Sequence, residues 1–255
     1  MNTDVQQYLD LLWGMTEKEL RVRYKYTFFG FLWIVVNPLL QMFLIGFLLS
    51  LFIKQSSEQY YFHLYTSLLV WNFFSLSLVK ATPSIVAERF LIKKSMFPRS
   101  VIPLSIVLSN VIHLLLGMGL FGIVMMILKM MPGGSLLYIL FGLCLLIIFT
   151  CGFCLLTSAL NVRFRDIKFI IEALLVLWFY ATPVIYTFSL IPQKYIWIWR
   201  LNPMTSIMQL FQYGFINAPP PGPAMLSINL IIIVIVAFAG IRVFRSESSN
   251  FDDWV

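Results

Sequence analysis

The sequence predicts an all-α membrane protein with six transmembrane helices, an N-terminal amphipathic helix at the interface, and re-entrant helices near the outer face between spans five and six. Three observations predict it. Only 11% of the 255 residues are charged and 60% are apolar, against roughly 25% charged in a soluble domain. Mean hydropathy is +0.88. The charges are also clustered. Residues 26–53, 59–79, 100–128, 130–162, 173–193 and 201–241 contain no Asp, Glu, Lys or Arg, and each stretch reaches the about 20 residues that cross a bilayer as a helix. Finally, the apolar runs are unbroken, unlike the ten-residue alternation of a membrane β-barrel. Helices are then expected, because backbone N–H and C=O groups in lipid must find partners inside the chain.

Residues 1–20, MNTDVQQYLDLLWGMTEKEL, lack the short apolar core and small-residue cleavage site of a signal peptide, so none is expected. Tyr8, Leu11, Leu12 and Met15 recur at helical spacing, with Asp4, Asp10, Glu17 and Glu19 around them, as in a helix lying in the membrane interface. The spans are placed near 28–52, 64–86, 103–128, 136–160, 168–187 and 224–243. The chain then reads as one membrane domain over 1–255: an interface helix at 1–25, a six-span bundle at 28–243 and a tail at 244–255.

Orientation follows from the basic residues. With the N-terminus inside, fourteen of the eighteen Lys and Arg residues fall in cytoplasmic segments, and only Lys54, Lys129, Lys194 and Arg200 fall outside. Short loops obey this positive-inside bias. Both termini are expected in the cytoplasm, the membrane accounts for the net charge of +7, and no nucleic-acid partner is implied.

Several short patterns imitate chemistry. Gly117, Gly119 and Gly122 fit G-x-G-x-x-G but lie inside the apolar third span, without the strand that a dinucleotide site requires. They are expected to permit close helix approach. Cys151 and Cys154 form C-x-x-C in the fourth span, with Cys144 two turns back; lacking partners at ligand spacing, they read as buried packing thiols. No metal site is expected. A P-loop, H-E-x-x-H and G-x-S-x-G are all missing from the sequence, so neither ATP binding through a P-loop nor the corresponding hydrolytic chemistry is indicated.

Polar groups inside a membrane are costly and invite explanation. Glu172 lies one turn inside the fifth span, where it serves either pairing with Arg163, Arg165 or Lys168 or a gating role. Lys80 and Glu88 lie toward the cytoplasmic end of the second. Asn110 and His113, one turn apart in the third, suit interhelical hydrogen bonds. One clear acid among six spans argues against a proton-driven pump.

Three connecting segments are too apolar for plain connectors. Residues 88–100 are basic but contain Phe90, Leu91, Ile92, Met96 and Phe97, and Pro98 and Pro103 break the chain after them. This segment is expected to lie in the interface, or to dock on a cytoplasmic partner or an anionic head group. Residues 161–167 alternate charged and apolar side chains in a tight turn. Residues 182–223 contain seven prolines yet stay apolar and aromatic. Tyr195, Trp197 and Trp199 suit the headgroup level, and two re-entrant helices are expected near 187–200 and 203–216.

Taken in order, these features resemble the membrane permeases of bacterial ABC exporters for lipid-linked polysaccharides, the O-antigen exporters above all. The matching residues are Arg23-Tyr-Lys-Tyr-Thr-Phe-Phe-Gly-Phe-Leu-Trp-Ile-Val-Val-Asn-Pro38, Leu91-Ile-Lys-Lys-Ser-Met-Phe-Pro-Arg99, Asn161-Val-Arg-Phe-Arg-Asp-Ile167, Thr182-Pro-Val-Ile-Tyr186 and Asn202-Pro-Met204. The resemblance implies a non-enzymatic permease of the bacterial inner membrane, exporting an undecaprenyl-linked glycan as a homodimer with two separate ATPase subunits. ATP and Mg would sit on those subunits, with no cofactor in this chain. It places ATPase coupling on Glu88, Arg89, Lys93, Lys94, Phe97 and Arg99 of the first cytoplasmic loop and Arg163, Arg165 and Asp166 of the second. The interface helix corresponds to Val5–Lys25, and the segments after span five form an external gate.

A glycan slides best along aromatic faces. Phe28, Phe29, Phe31 and Trp33 in the first span and Trp178, Phe179 and Tyr180 in the fifth are the candidate channel residues. Arg21, Arg23 and Lys25 are candidates for the carrier's head group, or else a topology signal. Glu172 and Lys80 are candidates for gating or helix pairing. Capsule or teichoic-acid export, drug or small-lipid export, and a membrane enzyme acting on lipid carriers are the alternatives.

Overall fold

A computed structural model describes residues 2–25, 30–52, 58–94, 97–129 and 135–251. Every regular element among them is helical: α1 (Asn2–Tyr24), α2 (Trp33–Phe52), α3 (Glu58–Ala81), α4 (Ser84–Ala87), α5 (Arg89–Lys94), α6 (Val101–Ile127), α7 (Leu136–Arg163), α8 (Ile167–Tyr180), α9 (Ile196–Arg200), α10 (Pro203–Ile216) and α11 (Pro223–Ser248), with three short 3-10 turns.

Four stretches, Gln59–Ala81, Val101–Ile127, Leu136–Arg163 and Pro223–Ser248, are long and apolar enough to cross a membrane. The apolar part of α2 is shorter, Val36–Leu51. The second span begins some five residues earlier than expected. Pro83 cannot extend α3 past Ala81, and α4 follows at once with Pro83 as its N-cap. The fifth expected span differs more. Helix α8 stops at Tyr180 after 14 residues, about 21 Å of helix. Its C-cap Ala181 is followed by turns through Pro183. The expected re-entrant helix at 187–200 is instead two 3-10 turns and the five-residue α9, because Pro192 interrupts it. At 203–216, where the second was expected, the chain forms the helix α10. Asn202 caps it by accepting from the Met204 N–H at 3.1 Å, Pro203 sits at the first position, and Asn217 ends it in the left-handed conformation at φ 55°.

Helix α7 is the hub, packing on α11, α10, α3 and α6. Its Phe149 stacks on Phe74 of α3 with centroids 5.6 Å apart, and Phe153 and Trp178 close the cluster edge-on. Where α7 crosses α11, Gly152 meets Gly240. A Cβ on Gly152 would lie 2.6 Å from Ala237 Cα, and one on Gly240 would lie 2.8 Å from the Gly152 carbonyl carbon and nearer still to its oxygen. The close approach expected at Gly119 and Gly122 is not made among the described residues: a Cβ there meets nothing within 4 Å. Van der Waals packing drives helix association in lipid, so small residues matter where a partner backbone arrives. Of the three thiols only Cys154 is fully buried. Cys151 is partly covered and Cys144 is exposed, two turns of α7 away from the crossing.

Candidate functional site

At one end of the bundle, two sequence-distant segments are clamped together. Ile85, Ile92, Ile102, Leu155, Ala159, Val162, Phe244 and Phe251 form a buried cluster, with Met15 and Phe97 packed against it. Residues 84–94 and 97–100 are therefore held by the ends of α7 and α11 and by α1. Polar contacts reinforce it: Lys18 pairs with Glu88 at 2.6 Å, Tyr8 Oη shares a hydrogen bond with Ser100 Oγ at 3.2 Å, and Arg99 donates to the Ser248 carbonyl at 2.7 Å. Phe251→Ala is expected to cost about 3 kcal/mol of local packing. Faster tryptic cleavage after Arg245 in the detergent-solubilised protein is the readout; an unchanged cleavage rate contradicts the clamp.

The clamp leaves a distinct outward surface. Phe90 is 67% exposed beside exposed Arg89, Lys93 and Lys94, and the Arg89 guanidinium lies 4.9 Å from the Phe90 centroid. In the α7–α8 turn, Arg163, Phe164, Arg165 and Asp166 are all exposed, with Arg163 5.3 Å over the Phe164 ring. Asn161, buried at the base of this turn, accepts from the Lys168 N–H at 3.2 Å and so fixes the start of α8. An arginine above an exposed aromatic offers a partner both charge and apolar area. Phe97 differs from its fellow candidates, since its ring is partly spent on the clamp.

Further into the bundle lies a cavity of about 460 Å³ between α1, α2, α3 and α6. Arg23, at the end of α1, turns into it. One guanidinium nitrogen donates to Asn110 Oδ1 at 2.8 Å, and the other meets His113 Nδ1. Accepting there leaves the imidazole proton on Nε2. Asn110 in turn donates to Ser77 Oγ at 2.9 Å, so the interhelical pairing expected of Asn110 and His113 joins α1, α3 and α6. Asn72 donates to Gln41 at 3.0 Å and Gln41 to Asn37 at 3.3 Å, extending the polar lining along α2. Lys80 is half-buried within electrostatic reach of Arg23 and Glu19. Trp33 is a further wall of the cavity.

The other basic candidates point elsewhere. Arg21 is exposed and paired with Glu17 one turn away, and Lys25 is exposed. Phe28 and Phe29 lie outside the described residues, as does the side chain of Phe31. Glu172 is exposed on α8 and makes no ion pair with Arg163, Arg165 or Lys168 among the described residues.

The opposite end is closed by a hydrogen-bonded cap. Asn202 donates to Thr182 Oγ1 at 2.8 Å and accepts from Trp178 Nε1 at 3.0 Å. Trp199 Nε1 donates to Tyr186 Oη at 2.8 Å, and Tyr60 of α3 donates to the Ile185 carbonyl at 2.7 Å. The Thr182–Tyr186 and Asn202–Met204 motifs, twenty residues apart, are thus one structural unit tied to α3 and α8. Of the candidate aromatics in α8, Trp178 packs against Phe74, Phe149 and Phe153, Phe179 against Trp71, and Tyr180 is exposed. Sequence reasoning passed over Asn37, Gln41, Asn72 and Tyr60. Asn37 and Gln41 share α2, and Tyr60 and Asn72 share α3; the cost of a polar group in lipid was the available signal.

The model of the family described as ABC-2 type transporter matches residues 10–216. Two proteins of Klebsiella pneumoniae, each called O-antigen export system permease protein RfbA, are 33% and 34% identical to this chain over 259 residues, covering 98% of it and 97% of each relative. A protein of the same name from Myxococcus xanthus is 32% identical over 252 residues, covering 97% of this chain and 96% of its own.

Proposed function

The chain belongs to the ABC-2 type transporter family, and from that premise we propose that it is the membrane subunit of an ATP-driven exporter of undecaprenyl-linked O-antigen. It is a multi-pass transport permease, not an enzyme. The observation carrying the O-antigen reading is similarity along nearly the whole chain to three permeases named for that export. Those names favour it over capsule, teichoic-acid or drug export.

In this reading the protein sits in the bacterial inner membrane as a homodimer with two ATP-binding subunits, which carry ATP and Mg. The clamped end, rich in Lys and Arg, faces the cytoplasm with both termini. The whole chain is one permease domain, with α1 at the interface and a short tail after the bundle. Six crossings are reached when α2 and α8 join the four long helices. Helix α8 alone falls short of a roughly 30 Å hydrocarbon core, and the cap at 181–202 completes its path. That cap and α10 act as the external gate. The aromatic candidates Phe28, Phe29, Phe31, Trp33 and Tyr180 line the glycan's path, while Trp178 and Phe179 back it from the core. Among the three basic head-group candidates, Arg23 is the one that reaches into a cavity, with Lys80 behind it. Glu172, on an exposed face of α8, meets the second protomer or the conduit.

Cells lacking the protein test the reading. Lipid-linked glycan should accumulate inside them and disappear from the surface, whereas unaltered surface glycan rules the reading out. The two exposed aromatic-basic features form the ATPase contact. Arg163→Glu and Phe90→Glu should each lower ATPase co-purification at least about tenfold without reducing the permease in the membrane. Normal recovery of the ATPase with both variants would show that it docks elsewhere. Phe97→Glu cannot separate docking from folding, because that ring packs on the Ile85–Ile92 cluster.

A further inference from the structure

We propose that a second cavity, at the capped end of the bundle, is a holding site for a neutral, hydroxyl-rich sugar unit of the exported glycan; this rests on the export reading above. The cavity measures about 640 Å³, within the ~300–1,000 Å³ of small-molecule sites. It lies within one protomer, between the end of α2, the start of α3, residues 185–190 and the end of α10.

Its lining chemistry limits the occupant. Among its described lining residues there is no Asp, Glu, Lys or Arg, so these residues offer an anionic head group no counter-charge. Three tyrosines, Tyr60, Tyr61 and Tyr186, form walls. Two of them have committed hydroxyls: Tyr60 donates to the Ile185 carbonyl at 2.7 Å, and Tyr186 donates to the Tyr180 carbonyl at 2.8 Å while accepting from Trp199. Tyr61 lies flush on Gly46, where a Cβ would meet its Cδ1 at 3.0 Å. Two of the three hydroxyls are therefore spent within the protein, and the rings add apolar aromatic area that suits the C–H-bearing face of a pyranose.

Further hydrogen-bonding capacity comes from His63, Gln59 and Asn217. His63 is 6% exposed, lines the cavity, and its Nδ1 has no hydrogen-bond partner. A buried polar atom left unpaired is costly. Gln59 and Asn217 are exposed at the rim and add two amides, each both donor and acceptor. The His63 Nδ1 is enclosed in this conformation, so a sugar hydroxyl pairs with it once the ring turns about χ2 toward the cavity, whereas a lipid tail leaves it unpaired.

The test places p-benzoylphenylalanine at Gln59 in cells that make the lipid-linked glycan and contain the whole transporter. Irradiation should yield a glycan adduct at 59, detected with antibody against the glycan, and none at lipid-exposed position 231. His63→Phe and, separately, Asn217→Gly should each lower the yield roughly fivefold, as expected for one lost hydrogen bond. Asn217→Gly keeps the left-handed backbone, so it remains informative if His63→Phe misfolds. Capture of phospholipid alone at 59 in cells that export normally overturns the holding site and leaves the export reading intact. An adduct insensitive to both substitutions overturns it as well, since mere proximity then explains capture. Surface glycan that persists without the protein overturns the export reading instead.

Discussion

Gly240→Leu is expected to keep the protein from accumulating as a folded species. The new side chain would have to occupy the space of the Gly152 carbonyl, where even a Cβ comes within 2.8 Å of the carbonyl carbon. Side chains can rotate away from a clash, but the backbone of α7 can retreat only by giving up its whole seam with α11. That seam is the most extensive helix contact in the fold. Overpacking a side-chain core costs about 1–3 kcal/mol, and displacing a helix costs more. Gly119→Leu is the matched control, since its Cβ meets nothing within 4 Å. Size-exclusion profiles in mild detergent should show a monodisperse peak for Gly119→Leu and aggregate for Gly240→Leu. Equal behaviour of the two would refute the seam.

Arg23→Glu should abolish export while leaving the protein in the membrane. It removes the donor to Asn110 and the partner of His113 and sets a carboxylate in a cavity otherwise suited to an anionic head group. Losing the hydrogen bonds of a charged donor costs about 3 kcal/mol, about a hundredfold in rate if the loss falls on the loaded state. Arg21→Glu, two residues earlier, touches only an exposed pair with Glu17, worth at most about 1 kcal/mol, and should export at near-normal rates. Surface glycan measured against membrane levels of each variant separates the cases. Export surviving Arg23→Glu but failing in Arg21→Glu would move the head group out of the cavity and onto the surface.

Much of the fold was legible because the bilayer imposes a simple rule on sequence. Every charge-free stretch contains a helix, and α6 and α7 begin within two residues of where charge and proline placed them. Helix α8 was misjudged because hydropathy continues through Val184, Ile185 and Ile191 after the helix has ended at Tyr180. Hydropathy reports burial or lipid contact, and Pro183 and Pro192 decide the backbone. The glycine pairing was illegible for another reason. Gly152 and Gly240 are 88 positions apart, while Gly119 and Gly122 of the eye-catching G-x-G-x-x-G in α6 meet nothing among the described residues. For the candidate sites, Asn110 and His113 stood out as costly polar residues and Arg23 as one of a basic trio, but their mutual bonding is tertiary. His63 drew no notice, because one imidazole in an aromatic run resembles a packing residue until its unpaired nitrogen is found beside a cavity.

Helix α8 joins the two ends of this molecule in a way that bears on timing. Only Ile171 and Leu175 along its length are buried. Its first turn is pinned by Asn161, next to the exposed Arg163–Asp166 turn, and its far end is tied through Trp178 and Thr182 to Asn202. A helix held firmly at its tips and lightly along its flank behaves as a strut. A push of an ångström or two on the turn would reach the cap nearly undiminished, and nucleotide exchange on one side of the membrane and release on the other would then occur as a single stroke.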